Sequence, residues 1–252
     1  MKFDELDKKL RVYETAHDLC ILPGLYMVAR IDGRSFTRLT KETHDFTAPF
    51  DVRVRDMMLE TVKHLMQCGF KVLYGYTQSD EISLLFDLNE NSFQRKERKL
   101  TSVLAGEASA KFSVLLGDVG AFDCRISQLP AQNLVLDYFR WRQADAHRNA
   151  LNAHCYWHAR QQGLSAMAAT AQFAKLSISA KNEYLFQHGI NFNELPAWQK
   201  RGSGVYWQTL EKIGFNPRTG ENVKTQRREL WVNTELPVKE LYANWLAQSF
   251  LN

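Results

Sequence analysis

The chain has 252 residues, 45% of them hydrophobic and 24% charged, a composition that excludes a disordered protein. Its 32 lysines and arginines exceed its 28 acidic residues by four, a surplus too small to establish a nucleic-acid partner without knowing where the charges lie. No run of 18 apolar residues occurs, and the four cysteines include no C-x-x-C pair, so we expect a cytoplasmic protein with reduced thiols and no membrane span.

The predicted elements of the first half alternate between strands and helices. An apolar run bounded by Gly24 and Gly33 predicts a buried first strand, which ends at Asp32. Asn91 and Gln94 resemble a capping box that opens a long helix. In chain order, the predicted elements are helix 7–20, strand 25–31, helix 51–68, strand 70–76, strand 81–86, helix 92–116 and strand 121–126.

From residue 25 onward these elements follow the order β, α, β, β, α, β, which is the ferredoxin-like α+β pattern. In this pattern helices cover one face of a four-stranded sheet, and we expect the other face to be free for a site. We predict that this domain spans 1–135. Residues 136–252 predict a mainly helical part, with a long excursion near 214–234.

Three carboxylates occupy positions that this topology would bring together. Asp32 follows the first strand, and Asp80 and Glu81 lie at the hairpin between the second and third strands. Because the first and third strands are antiparallel neighbours in this pattern, we expect the three side chains at one edge of the sheet.

Converging carboxylates repel each other unless a cation neutralises them, and oxygen ligands of this kind favour Mg²⁺. Gly33 would let a backbone carbonyl approach the metal without a side chain in the way. Such a site suits two-metal phosphoryl or nucleotidyl transfer. The alternative is a pair of ordinary solvated turns.

Basic and aromatic side chains form further clusters. The run 95–99 places four cations at the start of the long predicted helix, where the dipole opposes them; a bound phosphate or a solvated helix end would account for this. Residues 138–149 interleave aromatic and cationic side chains, which suits stacking on RNA bases or, alternatively, a buried aromatic face. His154 and His158 have the spacing of a possible metal pair, and 225–228 form a second basic cluster.

Together these segments resemble the tRNA(His) guanylyltransferase superfamily, and most closely its bacterial and archaeal guanylyltransferase-like branch. The resemblance extends over about residues 5–210. The matching segments are 29–36, 75–83, 99–112, 122–125, 138–145, 181–183 and 189–193. Several long motifs in the same order are more specific than any one of them.

The resemblance implies a polymerase-type palm as the catalytic domain over 1–135 and a helical, tRNA-contacting part over 136–252. Family members use two Mg²⁺ ions and add nucleotides to the 5′ end of tRNA in the 3′-to-5′ direction. They first activate the 5′-monophosphate by ATP-dependent adenylylation. The substrates implied here are therefore tRNA, ATP and GTP or another nucleoside triphosphate, and the assembly implied is a homo-tetramer.

The resemblance also implies roles for individual residues. The catalytic carboxylates are Asp32, Asp80 and Glu81, and the metal ligands are Asp32, Asp80 and the carbonyl of Gly33. The nucleotide-binding positions are Arg30, Arg34, Ser79, Lys96 and Lys99. The tRNA-binding positions are Arg140, Arg142, His147 and Lys181.

Two departures from the eukaryotic members bear on the choice of tRNA. The segment 147–152 differs from theirs, and the lysine that they place in the loop after the first aspartate falls near Ala48 here. Both favour the branch that repairs 5′-truncated tRNAs by templated addition over strict guanylate addition to tRNA(His). We therefore predict a Mg²⁺-dependent 3′-to-5′ nucleotidyltransferase. The alternatives are a palm-type nucleotide cyclase and a non-enzymatic tRNA-binding protein.

Overall fold

The structure is a computed structural model that describes residues 2–216, 218 and 220–251. Its described helices are α1 (Phe3–Thr15), α2 (Phe36–Arg38), α3 (Val52–Leu65), α4 (Glu97–Leu116), α5 (Gln132–Gln161), α6 (Ala166–Phe173), α7 (Ile178–Gln187), α8 (Ala197–Arg201) and α9 (Lys239–Phe250). Its described strands are β1 (Tyr26–Gly33), β2 (Val72–Gln78), β3 (Glu81–Phe86), β4 (Phe122–Leu129), β5 (Ser203–Asn216) and β6 (Glu221–Asn233). A π-helical turn at Leu39–Thr43 follows α2 directly, and 3₁₀ turns lie at Ser92–Arg95 and Phe192–Glu194.

The described strands form one antiparallel sheet in the order β4-β1-β3-β2-β5-β6. β1 lies between β4 and β3, and the register places Asp32 opposite Glu81 on β3 and Asp123 on β4. The expected antiparallel contact between the first and third strands is therefore present. It brings the end of β1 beside the start of β3, which is where the candidate carboxylates lie.

Helices cover both faces of this sheet. One face packs against α3 and α4 through a core that includes Ile31, Val62 and Leu104. On the other face Val28 packs among side chains of α5 and α9, such as Phe139 and Tyr242. Our expectation of a free second face is wrong, because α5 and α9 bury the apolar residues on that side, such as Tyr74 and Leu85. A site must instead lie where the strands end.

The predicted capping box at Asn91 is also wrong. The Asn91 side chain makes no cap hydrogen bond, and α4 begins only at Glu97. The intervening 3₁₀ turn is held by Arg95, which is 4% exposed and donates to the carbonyls of Leu25 and Leu88. A tertiary contact of one arginine therefore decides where the helix starts.

The second half of the chain is mainly helical, as predicted, but it also extends the sheet. α5 alone spans 30 residues, and with α6 and α7 it encloses a separate apolar core that includes Leu151 and Phe173. The predicted excursion near 214–234 forms part of a long β5–β6 hairpin, whose first strand pairs with β2 over 203–206. Among the described residues, no helix combines the length and apolar composition needed to cross a membrane.

Candidate active site

The candidate carboxylates lie together at the end of β1 and the start of β3. Asp32 is opposite Glu81 in the sheet register, and Asp80 lies in the tight turn that joins β2 to β3. The backbone N–H of Gly33 donates to the carbonyl of Asp80 at 3.0 Å, which ties this turn to β1. Ser79, the other residue of the turn, has a left-handed φ of 55°. The structure therefore brings all three predicted catalytic residues to one place.

Gly33 is required by close packing at this point. A Cβ atom there would lie 2.5 Å from the Phe36 ring and 2.8 Å from the Cβ of Asp80. Any side chain at this position would therefore separate Asp80 from the end of β1. Gly33, whose backbone carbonyl we predicted to approach the metal, therefore also has a steric role in assembling the site.

Two arginines hold Glu81. Arg30 Nη2 lies 2.8 Å from Glu81 Oε2, and Arg142 Nε lies 2.8 Å from Glu81 Oε1. Arg30 Nη2 also lies 3.3 Å from Asp32 Oδ2, and Arg142 pairs with Asp145 on α5. Because both oxygens of Glu81 already face guanidinium groups, its geometry fits a positioning role for the two arginines better than a metal-ligand role.

Asp80 differs from its neighbours because no described residue forms a close ion pair with it. Burial raises the pKa of the Asp80 carboxyl, and the charge of Asp32 adds to the rise, although Arg30 opposes it. Burial likewise raises the pKa of Glu81, against the charges of Arg142 and Arg30. An additional cation at this place would lower the pKa of Asp80 by stabilising its charged form.

The donor set fits a magnesium ion that is shared with a substrate. Mg²⁺ usually binds through one or two protein carboxylates and completes its shell with water and phosphate oxygens. Asp32 and Asp80 supply two carboxylates, one of them without an ion pair. In the part of the chain that the structure describes, no group of three His, Cys, Asp or Glu is placed to hold a metal alone. A metal held entirely by protein side chains is therefore not what this arrangement offers.

A cavity of about 340 Å³ opens beside these carboxylates. Asp32, Asp80 and Glu81 form one part of its lining, together with Arg30 and Ser79. The segment 36–58, β2, α5, α8 and Ser203 form the rest. The charged or aromatic side chains in this part are Phe36, Lys41, Phe50, Asp51, Arg55, Tyr76, Arg142, Asp145, Trp157 and Trp198. The cavity therefore combines a carboxylate-rich end with cations and aromatic rings.

The five predicted nucleotide-binding residues separate into two groups. Arg30 and Ser79 line the cavity, whereas Arg34 is exposed just beyond β1 and does not. Lys96 and Lys99 lie at the start of α4, which is beside the end of β1 that is opposite to Asp32. Positions 26 and 32, near the two ends of β1, are about 20 Å apart along the strand. The structure thus does not bring these two lysines to the carboxylates.

The basic run at the start of α4 has protein partners of its own. Asp18 pairs with Lys96 at 3.2 Å and with Arg98, and these interactions lower the pKa of Asp18 to about 2. Arg95 is buried against backbone carbonyls. The electrostatic cost of clustered cations at a helix start is therefore relieved within the chain, without a bound phosphate.

The predicted tRNA-binding residues also occupy different environments. Arg142 is 4% exposed and lines the cavity, so only a part of the tRNA that enters the cavity can reach it. The alternation of aromatic and basic residues did not reveal which face of α5 would be buried. Arg140 pairs with Asp137 and Glu240, His147 is exposed, and Lys181 is half-buried on α7.

His154 and His158 do not form a metal pair. His154 Nε2 lies 3.1 Å from the Gln199 side-chain oxygen, and His158 Nδ1 lies 2.9 Å from the Tyr184 hydroxyl. The two rings therefore hydrogen-bond to different residues, and these contacts account for both histidines without a shared metal.

The cavity residues that were not predicted from the sequence include Lys41, Arg55, Trp157 and Trp198. Arg55 lies over the Trp198 ring at 4.9 Å, although α3 and α8 are far apart in the chain. No local pattern distinguishes these residues from an ordinary helix or loop surface. Their common feature is tertiary and becomes visible only when α3, α5 and α8 surround the end of the sheet.

Comparison with known proteins agrees with this architecture. The family profile described as tRNAHis guanylyltransferase matches residues 7–130, and the profile described as Thg1 C terminal domain matches residues 133–241. A probable tRNA(His) guanylyltransferase of Drosophila melanogaster is 34% identical over 196 residues, which are 74% of this chain and 68% of that protein. The tRNA(His) guanylyltransferase of Debaryomyces hansenii is 29% identical over 248 residues, which are 92% of this chain and 91% of that protein.

Solved structures of a bacterial tRNA(His) guanylyltransferase (Thg1)-like protein resemble the whole chain. The complex with ATP has a TM-score of 0.78 and 28% identity, and covers 100% of both chains. The complex with GTP has a TM-score of 0.74 and 29% identity, and covers 99% of this chain and 100% of the other. The fold and these relatives define a nucleotidyltransferase. More particularly, the chain belongs to the tRNA(His) guanylyltransferase family.

Proposed function

We propose that this chain is a Mg²⁺-dependent nucleotidyltransferase that adds nucleotides to the 5′ end of tRNA in the 3′-to-5′ direction. ATP would first adenylylate the 5′-monophosphate, and GTP or another nucleoside triphosphate would supply the added nucleotide. The observation that carries this proposal is the convergence of Asp32 and Asp80 at one end of a cavity, where Asp80 forms no close ion pair within the part of the chain that the structure describes. We interpret β1–β4 with α3 and α4 as a ferredoxin-like, polymerase-type palm.

Asp32, Asp80 and the carbonyl of Gly33 would hold the Mg²⁺, which supplies charge stabilisation at phosphorus and lowers the pKa of an attacking hydroxyl. Arg30 and Arg142 are held in place by Glu81 and face the cavity, where they can orient phosphate oxygens. Arg142 and Glu81 are largely buried, which strengthens the electrostatic interaction between them relative to one in water.

The tRNA would approach along α5 and α7, where Arg140, His147 and Lys181 are at least partly accessible. The remainder of the proposal comes from the resemblance: repair of 5′-truncated tRNA, guanylate addition to tRNA(His), or both, by a cytoplasmic homo-tetramer. The bacterial neighbours in complex with ATP and GTP support the choice of nucleotide substrates.

An end-labelled tRNA assay tests the proposal. Full-length and 5′-truncated tRNAs are incubated with ATP, GTP and Mg²⁺, with EDTA as the metal-free control. We expect extension by the wild type and a loss of about a hundredfold or more in Asp32→Ala, because removal of a metal ligand is expected to exceed the loss from altering its supporting partners. Asp123→Ala is the matched control, since Asp123 lies opposite Asp32 on β4 but is exposed and does not line the cavity.

The outcomes separate the alternative functions. Asp32→Ala that extends tRNA as well as the wild type contradicts the site assignment. Formation of a cyclic nucleotide without RNA would indicate a palm-type cyclase. Binding of tRNA without any extension, unaffected by loss of Asp80, would indicate a non-enzymatic RNA-binding protein.

A further inference from the structure

Lys41 is a cavity-lining cation to which neither the sequence nor the family resemblance assigns a role. It lies in the π-helical turn Leu39–Thr43, which directly follows α2. π-Helical turns are rare in proteins, and those that occur often lie at functional sites. The turn is fixed from within, since Thr40 is buried and its hydroxyl donates to the Phe36 carbonyl at 2.8 Å. The loop therefore presents Lys41 to the cavity from a defined backbone.

The ammonium group of Lys41 is only partly satisfied. Its Nζ donates one hydrogen bond, to the carbonyl of Thr47 at 2.8 Å. A lysine ammonium has three donors, and no described carboxylate lies within ion-pair distance of this one. The nearest acidic influence is Asp51, but its oxygens already accept from the Arg53 side chain and from the backbone N–H groups of Thr47 and Arg53.

The other cavity cations are already paired. Arg30 contacts Asp32 and Glu81, and Arg142 contacts Glu81 and Asp145. Arg55 pairs with Asp56 at 2.7 Å and lies over the Trp198 ring. Among the described cavity cations, Lys41 is thus the one that has no carboxylate partner.

We propose that Lys41 forms a phosphate-binding subsite for the phosphate chain of a nucleoside triphosphate that enters this cavity. The inference rests on the proposed function, because it requires a nucleotide in the cavity beside Asp32 and Asp80. A compact ammonium group binds phosphate as a point charge and needs no bidentate geometry. The half-buried position of Lys41 strengthens this attraction relative to a fully exposed lysine.

The test measures equilibrium binding by calorimetry, without RNA, for ATP, inorganic triphosphate and adenosine. We expect Lys41→Ala to bind ATP and inorganic triphosphate about tenfold to a hundredfold more weakly, the loss expected for a hydrogen bond to a charged group. Its affinity for adenosine should stay within about twofold, because adenosine has no phosphate. Lys41→Arg should retain most of the ATP affinity.

Lys63→Ala is the matched control. Lys63 lies on α3, pairs with Glu60 at 2.7 Å and does not line the cavity, so its removal should leave ATP affinity unchanged. A thermal melt of each variant confirms that the chain is folded.

The outcomes distinguish this inference from the proposed function. If the wild type binds no nucleoside triphosphate, the proposed function fails. If the wild type binds ATP and Lys41→Ala binds it equally well, the subsite is refuted while the function stands. Equal losses for ATP and adenosine show that Lys41 merely fixes the loop through Thr47, and overturn the proposal. A separate titration compares 5′-phosphorylated with 5′-hydroxyl tRNA. If Lys41→Ala loses affinity only for the 5′-phosphorylated tRNA, the proposal is also overturned, because the phosphate then belongs to the RNA.

Discussion

The acidic end of β1 and the basic start of α4 are both dense clusters of charge, but their charges are satisfied differently. At the start of α4, Lys96 and Arg98 share Asp18, and Arg95 binds backbone carbonyls. At the end of β1, Asp80 forms no close ion pair with any described residue, and burial raises its pKa. A charge cluster in a sequence therefore indicates a ligand site only where the fold buries the charges and leaves some of them without a partner.

The largest expected difference between the two regions concerns stability. Arg142→Met removes one partner of buried ion pairs with Glu81 and Asp145, and we expect the free energy of unfolding to fall by about 3–5 kcal/mol. Arg98→Met removes the exposed partner of Asp18, and we expect little change. Chemical denaturation of both variants measures the comparison. Equal losses would show that the two clusters are equally structural.

The sequence allowed the acidic cluster to be predicted because its placement depends on local signals. An apolar run ends at Asp32, a two-residue turn contains Asp80, and antiparallel pairing of β1 with β3 brings both to one edge. Each step follows from strand geometry, which short-range patterns encode. The position of the candidate catalytic carboxylates could therefore be inferred from the strand pattern of the first half of the chain.

The basic and aromatic part of the cavity could not be inferred in this way. Arg142 and Arg140 are two residues apart on α5, yet one is buried in the cavity and the other pairs at the surface. The choice depends on the packing of α5 against the sheet, and the prediction that this sheet face would be free was wrong. Lys41 and Trp198 line the cavity only because tertiary contacts position the π-helical turn and α8 beside it.

The second expected difference is the direction in which a rise in pH changes the contribution of each region to folding stability. The pKa of Asp80 is raised in the folded chain, so above the ordinary value of 3.8 the folded state binds more protons than the unfolded state. Stability from this group is therefore lost as the pH rises through the folded-state pKa. The pKa of Asp18 is lowered to about 2, so its stabilisation is present above 3.8 and is lost as the pH falls toward 2.

Thermal melts across this pH range, in EDTA, separate the two carboxylates. Relative to the wild type, Asp80→Asn should gain stability as the pH rises above 3.8, because it lacks the buried charge. Asp18→Asn should lose relative stability above that pH, because it lacks the ion pairs with Lys96 and Arg98. Curves that move in the same direction for both variants would contradict the contrast between the two regions.

The smallest expected effect is on nucleotide binding by the start of α4. The family resemblance places triphosphate contacts at Lys96 and Lys99. In the structure the start of α4 lies beside Leu25, and the length of β1, about 20 Å, separates that end of the strand from Asp32. At physiological ionic strength charges are largely screened beyond about 8 Å, so two charges at this distance contribute little to binding in the cavity. We therefore expect the double variant Lys96→Ala/Lys99→Ala to bind ATP within about twofold of the wild type.

Calorimetry with ATP measures this directly, and Lys41→Ala in the same buffer provides the positive comparison. The single variant Lys96→Ala removes the contact with Asp18. The additional change of Lys99 in the double variant removes only a charge, since Lys99 forms no ion pair with any described residue. Comparing the two variants therefore separates the two effects. If the double variant loses ATP affinity to the same extent as Lys41→Ala, phosphate reaches the start of α4 after all. The two charge clusters would then be parts of one binding surface, and the partners of Lys96 within the chain would be contacts that the nucleotide replaces.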